Sequence, residues 1–131
     1  MDNSPIIEIE KLVKKFPMGR GEFTALNGID LRFKQGEFAG LIGPSGSGKT
    51  TLLNIIGSLD VPSSGTAVVM GRTIENLTAR ESAKLRKESL GFIFQSYNLL
   101  AVHTVYENVE FPLLLLNYTA SERKKMVSDA L

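Results

Sequence analysis

The residues whose types and spacing promise chemistry run from Gly43 to Thr51, in the stretch "GPSGSGKTT". Gly43, Pro44, Ser45, Gly46, Ser47, Gly48, Lys49 and Thr50 fit G-x-x-x-x-G-K-[ST], the Walker A phosphate loop. Holding a polyphosphate requires backbone amides that converge on one point, so side chains must stay clear. Gly43, Gly46 and Gly48 meet that need and tolerate unusual backbone angles. A helix starting near Gly48 would aim free amides and a positive dipole end at the anion. Lys49 adds a point charge for the terminal phosphates, and the Thr50 hydroxyl is a ligand type suited to Mg²⁺. Thr51 extends the same rim. A chain of this length matches the pattern by chance in roughly 0.4% of cases at average residue usage.

Other chemistries find little material. With no cysteine and one histidine, His103, neither a thiolate nor a histidine-rich metal site is available. His103 reads as a surface or interface residue, and Asp60 as the cap of the turn before Pro62. Fifteen basic residues against fourteen acidic ones leave a net charge of +1, which argues against a nucleic-acid partner. No run approaches the roughly 20 apolar residues that span a bilayer, and no signal peptide is visible in "MDNSPIIEIEKLVKKF". A soluble, cytoplasmic chain is expected.

The 131 residues amount to about one domain. Residues 6–16 and 25–37 alternate apolar with polar and predict two paired strands around a loop at 17–23. The stretches "FAGLIG" (38–43) and "LGFIFQ" (90–95) are continuous apolar runs, as strands buried on both faces would be. Between them, 49–59 places Leu52, Leu53, Ile56 and Leu59 at helical spacing. A strand over 66–71 and an amphipathic helix over 75–88 follow. Residues 103–116 predict a helix with a Thr104/Glu107 capping box and a break near Pro112. A last helix begins at Thr119 or Ser121. Strands alternating with helices make an α/β chain.

A phosphate loop alone does not separate a GTPase, a small-molecule kinase and a transport ATPase. No Asn/Thr-Lys-x-Asp guanine reader follows the loop, and no arginine-rich lid stands out. The stretch "GEFAGLIGPSGSGKTTLLNIIGSLDVPSSGTAVVMGR" followed by "LGFIFQSYNLL" resembles the ATP-binding subunit of ABC transporters. "LRKESLGFIFQSYNLLAVHTVYENVEFPLLL" is similar to the group that drives lipoprotein release and macrolide or peptide efflux.

The resemblance implies a P-loop NTPase fold of ABC type, with an antiparallel β subdomain and part of a parallel-sheet core. The resemblance runs from about residue 6 to residue 131 and makes 1–131 a partial nucleotide-binding domain. Walker A would lie at 43–50, the Q-loop around 95, and the start of the helical subdomain at 104–131. Gln95 would then touch Mg²⁺ or the attacking water and, with Lys49, serve the chemistry; Thr50 and Gln95 would be the metal ligands. Phe16 falls where the family keeps an aromatic ring that stacks on adenine, and ATP and Mg²⁺ are the implied cofactors. Residues 96–110 would face a membrane-spanning permease subunit. Full-length members dimerise and sit peripherally on the inner face of the plasma membrane. The family pattern continues beyond what these residues carry. No L-S-G-G-Q-like signature and no apolar run ending in Asp-Glu (Walker B) occurs here, and there is no switch histidine. The chain is therefore expected to be truncated before those motifs. It would bind ATP·Mg²⁺ without hydrolysing it efficiently, or act as a non-catalytic docking module for the permease.

Overall fold

The computed structural model describes residues 5–131; the first four, on which the leader reading partly rests, lie outside the described residues. Alternation drives the first feature. β1 (Ile7–Met18) and β2 (Gly21–Phe33) form a long antiparallel hairpin, from Ile7 opposite Phe33 to Met18 opposite Gly21. The loop expected at 17–23 is mostly strand. Two residues suffice to turn the chain, because Gly19 adopts φ 60° and takes the left-handed step.

β3 (Ser64–Val69) adds to the other edge of β1, and the short β4 (Arg72–Thr73) pairs with β3. The sheet is antiparallel throughout, in the order β2-β1-β3-β4. One of its faces is apolar. Ile9, Leu12, Leu26, Ala67 and Val69 are buried there with Leu52 and Ile55 of α1 (Lys49–Ile56). Ile74, in a short 3₁₀ turn, and Leu85 of α2 (Ala79–Ser89) complete the cluster. Each such side chain contributes about 1.5–3 kcal/mol by leaving water.

α1 is shorter than its apolar pattern predicted, ending at Gly57. Its buried residues are Leu52 and Ile55, while Leu53 and Leu59 are exposed.

The stretches 38–43 and 90–95 are not strands. Both lie outside the sheet, with Phe38, Ile42 and Ile93 almost fully exposed. A continuous apolar run specifies burial but not the partner that provides it, and the described residues offer neither run a neighbouring strand. The parallel-sheet part of the expected architecture is therefore not formed among them.

The chain divides into two compact units, the first ending at Gly91 and the second comprising Phe92–Leu131. In the second, α3 (Val105–Leu114) packs against α4 (Ala120–Ala130), fixed by an Arg123–Glu110 pair at 3.0 Å. Thr104 caps α3 with the expected box, and Pro112 lies two residues before its end. Thr119, not Ser121, caps α4.

Candidate functional site

The phosphate loop leads directly into α1. Gly46 and Gly48 stand at φ 78° and 86°, left-handed angles that turn the chain from an extended approach into the helix. A Cβ on Gly43 would meet the Ser47 hydroxyl at 2.8 Å, so that side chain would have to turn away. Gly48 is packed hard against β2, where Ala25 has no partner because the hairpin register shifts between Lys14 and Lys15.

The helix start is chemically distinct. α2, α3 and α4 each begin on a threonine with a complete capping box. α1 begins on Gly48 with no side-chain cap and no acidic residue in its first turn. Its first-turn amides are thus left to an outside acceptor, and no carboxylate opposes an anion there. Lys49 lies across the loop, donating from Nζ to the carbonyls of Gly43 (2.8 Å) and Pro44 (2.6 Å). Thr50 is exposed and Thr51 is half-buried. No cluster of three His, Cys, Asp or Glu residues stands ready for a metal among the described residues. A divalent ion would draw on a hard oxygen such as the Thr50 hydroxyl and on the ligand's own phosphates, which suits Mg²⁺.

Phe16 lies near the end of β1, opposite Phe23, in the same unit as the loop. The residue is 38% exposed. Gln95 is exposed and belongs to the second unit. In that unit Asn108 organises the segment before α3. It accepts from the Leu100 amide at 2.7 Å and donates to the carbonyls of Leu100, His103 and Thr104. A cavity of about 250 Å³ opens beside it, lined by Leu99, Leu100, Val105 and Val109 among others. His103 is a surface residue, 3.8 Å from Glu107.

Sequence reasoning missed Lys14. It is buried, and its ammonium pairs with Asp60 at 2.6 Å and with the Val61 carbonyl at 2.8 Å. Asp60 also accepts from the Val61 amide, as its capping role predicted. The only signal for the Lys14 pair was a charged residue on the inward phase of an alternating strand. Sequence spacing could not supply a partner 46 positions away.

Known proteins share this arrangement. The profile of the ABC transporter family matches residues 26–131. The macrolide export ATP-binding/permease protein MacB of Marinobacter nauticus is 45% identical over 123 residues, 94% of this chain and 19% of that protein. An uncharacterized ABC transporter ATP-binding protein of Thermotoga maritima is 39% identical over 96% of the chain and 54% of its own length. Among solved structures, the ATP-binding cassette MJ0796, bound as a dimer to ADP and Pi, superposes with a TM-score of 0.86. It is 37% identical over 94% of this chain and 54% of that one. The chain thus spans about a fifth of the MacB protein and about half of the other two.

Proposed function

Because the chain belongs to the ABC transporter family, we propose that it binds ATP with Mg²⁺ through residues 43–51, as the nucleotide-binding part of a transporter ATPase. One observation carries the reading: among the described residues, α1 alone of the α-helices starts uncapped, on a left-handed glycine, with Lys49 beside it. The amides and the Lys49 charge would take the phosphates, and the Thr50 hydroxyl would take the metal. Phe16 would stack on the base. Gln95 would approach the metal or the water in the assembled site.

Bound Mg²⁺ would neutralise phosphate charge during phosphoryl transfer. In this reading the residues of this chain would bind and orient, none of the described residues would take a proton from the attacking water, and turnover by the chain alone would be poor. Residues 96–110 would dock a membrane-spanning permease subunit, holding the chain at the cytoplasmic face of the membrane. The cavity beside Asn108 supports that placement, and it also favours the second reading, a docking module without catalysis.

Calorimetric titration with Mg·ATP tests the binding. Saturable binding should fall roughly 10- to 100-fold in Lys49→Ala, the loss of one strong charge-assisted contact. Equal affinity in the variant would refute the assignment of the loop. ATP turnover at ordinary family rates, abolished by Lys49→Ala, would refute the binding-without-turnover part.

A further inference from the structure

One face of the Phe16 ring is already taken. The Lys14 ammonium stands 5.0 Å from the ring centroid. A lysine is seldom buried without a partner, yet Lys14 is only 9% exposed. It is held from beyond the ring: its Nζ donates to Asp60 Oδ1 at 2.6 Å and to the Val61 carbonyl at 2.8 Å. The strand around it is fixed too, since Ser63 donates its amide to the Val13 carbonyl and accepts from the Lys15 amide at its hydroxyl. The cation is therefore a built feature of β1 and not a mobile surface charge. A cation over an aromatic face is attracted to it by roughly 0.5–2 kcal/mol.

We propose that Lys14 is a positioning residue for nucleobase recognition: held by Asp60, it occupies one face of Phe16, fixes the ring, and leaves the opposite face for a purine. The inference rests on the stacking role given to Phe16 above. Its anchors belong to the phosphate-loop framework. Asp60 lies in the segment that leaves α1, and Leu26, the register partner of Lys14, is among the first atoms a Cβ on Gly48 would meet. Ring and phosphate loop are thereby tied to one rigid frame. Lys14 is spent on Asp60, Val61 and the Phe16 ring, so in this proposal it influences only the part of affinity that depends on the base.

The test compares two probes on the whole chain, Mg·ATP and magnesium tripolyphosphate, by calorimetric titration. Phe16→Ala should weaken ATP binding about 5- to 100-fold, the range of one base–aromatic stack, and leave tripolyphosphate binding within about twofold. Lys14→Met, which keeps the stem and loses the charge, should weaken ATP about 3- to 10-fold with tripolyphosphate again unchanged. Lys14→Arg, which restores a cation over the ring, should recover most of the loss. If Phe16→Ala leaves ATP affinity intact, the stacking reading fails and takes the Lys14 inference with it. If Phe16→Ala weakens ATP but Lys14→Met does not, only the Lys14 inference falls. It falls as well if Lys14→Met weakens both probes alike. Asp60→Asn decides the matter where Lys14→Met does not fold. The same split between probes supports the inference, and unchanged ATP affinity overturns it.

Discussion

A Cβ placed on Gly48 would stand 2.7 Å from the carbonyl oxygen of Ala25, so the N-cap of α1 lies tight against the backbone of β2. The contact explains how a hairpin with no residue in the loop can govern the loop's shape. Gly48 also sits at φ 86°, where a side chain is strained whatever space surrounds it. Gly48→Ala therefore meets two obstacles at once. It should abolish measurable binding of both Mg·ATP and tripolyphosphate and lower stability by about 2–4 kcal/mol. Gly46→Ala provides the comparison. That position shares the left-handed angle but has nothing within 4 Å of a new Cβ, so it should cost about 1–2 kcal/mol and retain weak tripolyphosphate binding. Equal effects of the two changes in urea titrations would show that the Ala25 contact does not matter.

Much of this was legible in the sequence, and the reasons differ by element. The 43–50 pattern names its own chemistry, because few residue types let a backbone wrap a phosphate. The Thr104–Glu107 box was readable because both partners lie within one helical turn. The boxes at Thr78–Glu81 and Thr119–Glu122 follow the same rule, although the sequence reading gives only a cap at Thr119 or Ser121 and none at Thr78. Pro17 with Gly19 and Gly21 predicts a turn or loop over 17–23, whereas only Gly19 and Arg20 turn. Pro17 instead lies close to the hairpin end, opposite Glu22, where strand geometry tolerates it. The runs at 38–43 and 90–95 were read as strands on hydrophobicity alone, and a strand needs a partner that such a run does not specify. Lys14 was illegible because its role depends on a residue far along the chain.

Gly65 gives a stability prediction independent of ligand. It lies on β3 at φ 81°, opposite the bulge of β1, where a Cβ would overlap the Lys11 carbonyl and come within 2.7 Å of the Glu10 carbonyl. The bulge is itself constrained. Lys11 adopts φ 49° and is held there by Asp30, which accepts its amide at 2.8 Å and its ammonium at 3.0 Å. Neither backbone can yield without losing ladder hydrogen bonds. Gly65→Ala should cost about 3 kcal/mol or more, visible as a lower urea midpoint. Gly71→Ala, at φ 73° with open space around it, should cost about 1–2 kcal/mol. A Gly65→Ala protein as stable as Gly71→Ala would remove the bulge from the account.

The capping boxes make the helices sensitive to acid, and the sign can be worked out at Glu107. Its carboxylate accepts from the Thr104 amide at 2.7 Å and from the Thr104 hydroxyl at 2.8 Å, and these bonds hold its pKa below the ordinary value. Glu81 and Glu122 are lowered in the same way by Thr78 and Thr119. A group whose pKa is depressed on folding stabilises the fold above its unfolded value. That stabilisation fades as pH drops from the ordinary glutamate range, about 4.3, through the lower folded value. Helical circular dichroism should hold steady from pH 7 to about 5 and decline below about 4. Thr104→Ala removes the hydroxyl bond donated to Glu107 and the cap on the Glu107 amide, but keeps the backbone amide bond to the Glu107 carboxylate. It should cost about 1 kcal/mol at neutral pH, and it should shrink the acid-dependent loss only in part, because the backbone amide bond, the largest cause of the lowered pKa, remains. His103, 3.8 Å from Glu107, supplies a control. His103→Gln should leave the acid transition in place, since the Thr104 bonds outrank the histidine charge among the causes of the shift. An acid transition that persists in full in Thr104→Ala, and vanishes in His103→Gln, would assign the effect to the ion pair instead.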